Sequence, residues 1–272
     1  MSNELSKPDS NVKSTIEAAT GLVKAIPIYQ DAIQPSAQQI GKSLETITKT
    51  VNIALAPIKV LVWGYEQIEQ FVSNRVAEKL SKVPEENIVT PPPQVAGPAI
   101  EALKYSGHDE NLRELFANLL ATAMDKATIH SAHPGYVEII KNLTSDEAVL
   151  LSAFVDKSVY PIININAKSK DENGGFILKY PKYSHLHKAV TVSQVTMLPS
   201  YLDNLCRLGI LESPSGLSMT APNTYEPLEI DEELAQLKSE IVSDNYDIDF
   251  KRGLIRPTSY GKQFIQNVVI SK

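Results

Sequence analysis

Two pairs of histidines stand at spacings that suit metal binding: His130 with His133, three apart, and His185 with His187, two apart. Imidazoles on one face of a helix or strand can share an ion. His130-Ser-Ala-His133-Pro reads as a turn, and no acidic pair adjoins it at a ligand spacing. His185-Leu-His187 puts both rings on one face of a strand, yet two ligands do not complete a site. Surface loop histidine is the preferred reading for both pairs, so no metal and no cofactor is expected. The acidic run Asp231-Glu232-Glu233 opens an expected helix, where carboxylates suit the helix dipole. Acid–base catalysis would need such carboxylates positioned in a cleft. Cys206 lies in the apolar helical pattern Leu202, Leu205, Cys206, Leu208 and reads as a buried structural thiol. As the single cysteine, it closes no internal disulfide and builds no cysteine zinc cluster.

Sequence signatures of common catalytic sites are absent. There is no GxSxG elbow, no HExxH, no GxxxxGK[ST] loop and no GxGxxG after a strand. None of Arg75, Arg113, Arg207, Arg252 and Arg256 is followed four to six residues later by the His of a helical toxin ribonuclease. No catalytic residue is assigned, and the reading leans away from an enzyme. The net charge of −6 divides as −4 over residues 1–140 and −2 over 141–272. Bulk positive charge of the kind that drives non-specific nucleic-acid binding is missing, so nucleic acid is not an expected partner.

The elements that position these groups follow from periodicity and punctuation. Residues 1–13 read as a disordered tail and 14–80 as a helical domain. Within it, Leu44, Ile47, Val51, Leu55, Ile58, Val62, Tyr65, Ile68, Val72, Val76 and Leu80 recur at steps of three and four. The apolar face widens between Ile53 and Trp63. The residues Ile53, Pro57, Val60, Leu61, Trp63 and Tyr65 form a candidate membrane or oligomer face, flanked by Lys49 and Lys59. A core helix with two neighbours, self-association and membrane contact all fit such a face. The apolar run Val51–Tyr65 carries Pro57 and Lys59 and is shorter than the ~20 residues of a spanning helix. The polar start MSNELSKPDSNVKS lacks an export pattern, so the expected location is cytoplasmic, with peripheral contact at the inner membrane left open.

Residues 81–98, with Pro91-Pro92-Pro93, read as a linker, and 99–272 as a second domain. Helices are expected over 99–126 with a break near Gly107, from Pro134 to Lys141, and from a capping box at Thr144 and Glu147 to about Asp156. Val159–Ala167 and Gly175–Tyr180 read as a hairpin around a polar turn. Helix returns over 191–210 and 231–243, followed by a brief strand at Gly253–Pro257 and a last helix at Tyr260–Val269. Tyr201–Glu212 and the closing GLIRPTSYGKQFIQNVV resemble the end of a winged helix, with Gly209 ending a helix, Thr258 capping the next and Gly261 allowing tight packing. The fold class is thus a mainly α N-terminal half and an α+β C-terminal half resembling a winged helix with a β-hairpin insertion. Thr191–Leu208 carries only Arg207 as a base, which suits protein contact better than DNA. Arg207, Arg252 and Arg256 form the candidate partner-binding wing.

Four stretches together resemble the abortive infection alpha family of bacterial proteins: LAPIKVLVWGYEQIEQFVSNRVAEKL, VTPPPQVAGPAIEALKYS, LRELFANLLATAMDKATIHSAHPGYVEIIKNLTSDEAVLL and GLIRPTSYGKQFI. The resemblance covers about residues 14–270 and is most specific at LFANLLATAMD…AHPGYVEIIKNLTSDEA. It implies defence against phage, in which an infected cell stops growing or dies, and it carries over no catalytic residue. The expected mechanism is a non-enzymatic effector: a homo-oligomer, with peripheral membrane contact and a phage or host protein as trigger. An enzyme toxin with a non-standard site and a winged-helix regulatory DNA-binding module are the alternatives.

Overall fold

The computed structural model describes residues 64–171, 173–243 and 245–271. The expected tail, the expected helical domain up to residue 63 and with it the apolar positions Ile53, Pro57, Val60, Leu61 and Trp63 lie outside them. Helix α1 spans Tyr65–Leu80. Its Val72, Val76 and Leu80 are buried, as the periodicity requires, with Ile68 half-buried. Lys79 is buried, and its ammonium reaches Glu114 at 3.1 Å and Ser271 Oγ at 3.0 Å. Arg75 takes the other Glu114 oxygen at 2.7 Å.

The stretch read as linker does not stay extended. Pro92 is extended, and Pro93 opens helix α2, Pro93–Ser106. Proline suits that first position because its missing N–H would have no helical partner there. Pro98 sits inside α2, at the loss of one helical hydrogen bond. The break at Gly107 falls as expected. Asp109 then caps helix α3, Glu110–Ala123, by accepting from the Leu112 amide at 3.1 Å. Every residue of α3 from Leu115 to Ala123 is buried, which makes it the pillar of the core. Helices α4 (Gly135–Lys141) and α5 (Ser145–Asp156) pack around it together with α1 and α2. Residues 65–80 therefore share one apolar core with the chain beyond 99.

Among the described residues the sheet has the order β2-β1-β4-β3, all antiparallel. The hairpin is β1 (Tyr160–Ser169) with β2 (Phe176–Tyr183), irregular around Ile163–Ile165. After β2 come the short helix α6 (Leu186–Ala189), helix α7 (Leu198–Arg207) and the two-residue strand β3 (Leu211–Glu212). Strand β4 runs from Tyr246 to Pro257, well beyond the expected Gly253–Pro257. The alternation Tyr246, Ile248, Phe250 marks that extra length, although Asp247, Asp249 and Lys251 between them give it a polar look. β4 pairs with β1 from Tyr160–Ile255 to Ser169–Tyr246. The hairpin thus supplies a central and an edge strand of the sheet and is not an insertion beside it.

The two sheet faces lead to different cores. Tyr160 and Ile162 enter the helical core, whereas Ile163, Ile165, Ala167 and Tyr183 enter a smaller one. Residues 213–245 cover that second face as a strap containing helices α8 (Glu226–Glu229) and α9 (Ala235–Ile241). Its buried Tyr225, Leu228, Leu234 and Ile241 complete the small core. Full burial of an aliphatic side chain is worth about 1.5–3 kcal/mol.

The chain closes with helix α10 (Ser259–Phe264), which passes into a π turn, Ile265–Val269. A π turn offsets the helical hydrogen-bond ladder. Here side chains of α3 take up carbonyls of that turn: Asn118 Nδ2 donates to Val268 O and Thr122 Oγ1 to Asn267 O, each at 2.8 Å.

Candidate functional site

Among the described residues a cluster of ionisable side chains forms where the end of β2 faces the strap. Tyr183 and Ser184 are buried, and Leu186 anchors α6 in the helical core. Beside these fixed points His185, His187 and Lys188 face the strap. Opposite them Asp231 caps a short 3-10 turn, Glu232–Leu234, by accepting from the Glu233 amide at 3.0 Å, and Leu234 anchors that turn. His185 Nε2 lies 2.5 Å and Lys188 Nζ 2.6 Å from Asp231 Oδ2. A carboxylate only accepts hydrogen bonds, so Nε2 of His185 carries the proton and donates. The 3.1 Å approach of Lys188 Nζ to that same nitrogen is then two donors converging on one oxygen.

Glu233 extends the cluster. The Tyr183 hydroxyl donates to its Oε2 at 3.2 Å, and Lys188 lies 3.7 Å from its Oε1. His187 Nδ1 donates to the Ser184 carbonyl at 3.1 Å, which fixes the tautomer. Its Nε2 lies 3.4 Å from Glu233 Oε2 without hydrogen-bond geometry. His187 Nε2 is a buried nitrogen with no hydrogen-bond partner.

These contacts shift proton affinities. Burial works to raise Asp231, but hydrogen bonds from Lys188, the Glu233 amide, His185 and Tyr183 outweigh it and hold the carboxyl well below the usual carboxylate range. Burial first, then the nearby carboxylates of Asp231 and Glu233, push the Tyr183 phenol far up. Lys188 is raised chiefly by its hydrogen bond to Asp231. The arrangement fastens strap to sheet, and it holds a histidine, a lysine and a carboxylate in the contacts that proton transfer requires.

The sequence read the two halves of this clasp apart, as loop histidines and a solvated helix start. Tyr183 and Lys188 were not singled out at all. The legible signal was charge complementarity: Lys179, Lys182, His185, His187 and Lys188 in one segment and Glu226, Glu229, Asp231, Glu232 and Glu233 in another.

The candidate wing is distributed over separate internal partners. Arg252 grips Glu229 through Nε at 2.6 Å and Nη2 at 2.9 Å, with its guanidinium 5.3 Å from the Tyr225 ring centre. It thus fastens the strap a second time. Arg256 pairs with Glu212 at 2.7 Å across β3 and β4. Arg207, at the end of α7, donates to Asn204 Oδ1 from Nε at 3.0 Å and from Nη2 at 2.7 Å. Of the candidate membrane or oligomer face, only Tyr65 falls within the described residues, as the first residue of α1.

His130 is exposed, while His133 Nδ1 accepts from the Gly135 amide at 3.0 Å and its ring packs edge-on to Tyr260. Among the described residues no group of three or more His, Cys, Asp or Glu is placed to hold a metal ion. Cys206 is half-buried against the helical core, and burial pushes its thiol up. Among the described residues no helix is long and apolar enough to cross a membrane.

Fold and clasp define a mainly helical protein closed by an antiparallel sheet, whose ionisable side chains chiefly fasten one segment to another. The chain belongs to the abortive infection alpha family, whose model matches residues 64–268. The match opens at Gly64, later than the resemblance over about 14–270, and leaves Ile53–Trp63 outside it. No curated protein matches the chain. One solved structure, titled as the uncharacterized protein from the hydrocarbon-degrading marine bacterium Alcanivorax borkumensis SK2, is 20% identical and covers 53% of this chain and 96% of that one, with a TM-score of 0.35. A likeness at that level carries no argument about fold or function.

Proposed function

We propose that this member of the family acts in phage defence as a non-enzymatic effector, through oligomerisation or membrane contact of Ile53, Pro57, Val60, Leu61, Trp63 and Tyr65. The observation that supports this reading is the anchoring of α1. This helix begins at Tyr65, the last residue of that sequence face, and is riveted to the body by Val72, Val76 and Leu80 and by Arg75 and Lys79 on Glu114. An apolar face on so firm a base can transmit a change in the body to a membrane or a second copy. The winged-helix-like part, with Arg207, Arg252 and Arg256, is the region we assign to sensing a phage or host protein, in a chain that resides in the cytoplasm or at the inner membrane.

A second reading has a specific observation in its favour. His185, Lys188 and Asp231 are spaced for acid–base work, which would suit a hydrolytic toxin. One experiment separates the two. Infected cells expressing the protein are followed with a membrane-potential dye while RNA and DNA integrity is measured. Early depolarisation with intact nucleic acid, lost on Leu61→Asp together with liposome flotation, is the expected result. Degraded nucleic acid in polarised cells, abolished by His185→Ala, overturns the effector reading in favour of the enzyme.

A further inference from the structure

We infer that the open edge of strand β2 is a self-association edge, on which a second copy of this chain lays its own β2 antiparallel, about a two-fold axis at Ile177. This edge lies in a different part of the chain from Ile53–Tyr65 and does not depend on the effector reading. Phe176, Ile177 and Leu178 are 62%, 48% and 49% exposed, three large apolar side chains in succession. Among the described residues β2 has β1 on one side and no strand on the other. Such an edge carries unpaired N–H and C=O groups that another strand can take up. Beyond Leu178 it is blunted: Lys179 is the extra residue of a bulge, between the pairs Asn166–Leu178 and Ile165–Tyr180, and Pro181 has no N–H to give. The regular, open part is Phe176–Leu178.

The ladder decides which groups face outward. The Ser169 amide donates to the Gly175 carbonyl at 3.0 Å, which makes 169 and 175 a hydrogen-bonded pair. Bonded and non-bonded pairs alternate along an antiparallel ladder. Ala167–Ile177 is therefore bonded, whereas Lys168–Phe176 and Asn166–Leu178 are not. Phe176 and Leu178 thus turn their N–H and C=O groups to the open edge. An incoming strand must bring the same phase, and a second β2 centred on Ile177 does so. Its Leu178 meets Phe176 and its Phe176 meets Leu178, in two bonded pairs.

The side chains agree with the backbone. Ile177 lies opposite Ala167 on the strap side of the sheet, while Phe176 and Leu178 lie on the other side. In this register each Phe176 packs on a Leu178, and Ile177 on Ile177, apolar cross-strand pairs of the kind that stabilise sheets. The charges agree as well. Lys179 of each copy comes opposite Gly175 of the other, where an added Cβ would meet nothing within 4 Å. The turn beside it carries Asp171, and Lys170 in that turn is directed to Asp247 at 3.6 Å. No lysine is set against a lysine, so the edge complements itself in shape, hydrogen bonding and charge.

Three residues a side make a contact far smaller than the roughly 1,200 Å² of a stable interface, so the dimer is expected to be weak and to build up only at high protein concentration. Cysteine cross-linking reads both the contact and its register. In a non-hydrogen-bonded pair the Cα atoms stand about 4.5 Å apart, within reach of a disulfide. In the full-length Cys206→Ala protein under mild oxidation, Ile177→Cys should form a covalent dimer severalfold faster than Phe176→Cys, Leu178→Cys or Lys179→Cys. Sedimentation velocity supplies the second reading. The wild type should dimerise as concentration rises, and Leu178→Lys should weaken the dimer by about tenfold or more. Circular dichroism and the melting temperature should stay unchanged, because Leu178 is exposed. Equal cross-linking rates at the four positions, a fastest rate away from Ile177, or a wild type that is monomeric at every concentration overturns the inference. So does a dimer that survives Leu178→Lys and is lost on Leu61→Asp, which would give self-association to the other face.

Discussion

Asp231 and Asp146 show how this protein uses buried carboxylates. Asp146 on α5 accepts from the amides of Ser193 and Gln194 at 2.8 and 3.0 Å and from the Tyr201 hydroxyl at 2.9 Å. Burial works to raise its proton affinity, yet these donors win and hold it low. Asp231 does the same for the strap, with Lys188, His185 and the Glu233 amide as donors. A carboxyl whose folded pKa is depressed lends stability that is fully present above its unfolded value, about 3.9 for aspartate, and that fades as pH falls toward the folded value. The wild type should therefore lose stability on acidification below about pH 4, the region where the unfolded chain begins to bind the proton. Asp231→Asn should be less stable at neutral pH and show a shallower loss over that acid range. Urea denaturation of both proteins across the range measures the difference; equal slopes would mean that the clasp contributes nothing.

Helix ends were the most legible elements, because their signals are local. The capping box at Thr144 and Glu147 forms as its spacing implies, with the Thr144 amide donating to Glu147 Oε2 at 2.6 Å. Pro134 starts α4 and Gly209, at φ 72°, ends the helical run before β3. Thr258 caps α10 by accepting from the Gly261 amide at 2.9 Å. Gly261 also shows why its position requires glycine: a Cβ there would stand 1.9 Å from the Ile210 carbonyl oxygen. That neighbour is backbone and has little room to move, so Gly261→Ala should cost more than about 3 kcal/mol, at the severe end for a single substitution. Thermal melts and urea curves of this variant beside Gly253→Ala give the comparison, since the nearest atom to a Cβ at Gly253 is on the Ile162 side chain, at 3.4 Å. The linker was less legible. Three prolines read as extended chain, but the last of them is a favourable helix start, and a run of prolines does not reveal which one plays that part.

At the scale of the whole molecule, the strap is the part fastened by the most diverse means. Apolar anchors hold it from below, and the pairs Asp231–Lys188, Asp231–His185 and Glu229–Arg252 hold it along the sides. Exposed pairs are each worth little and are screened by salt. The Glu229–Arg252 pair is of this kind, but Lys188 neutralises the buried Asp231, so a double variant, Lys188→Ala with Arg252→Ala, should lower the melting temperature and speed limited proteolysis within 213–243. High salt should do the same to the wild type in part. An unchanged cleavage rate would show that the apolar anchors suffice.

The sequence by itself determined the caps, the helix faces, the hairpin and the family, since each depends on residues within one or two turns or on a continuous match. It did not determine which distant ionisable groups meet. His185 and Asp231 are 46 residues apart, and Arg75 and Glu114 are 39 apart. No local preference brings such partners together. The first meeting follows from the pairing of β4 with β1 and the return of the strap over the sheet, the second from the packing of α1 on α3; both close long loops and are decided by burial of the two cores. The same tertiary packing buried Lys79 against Glu114.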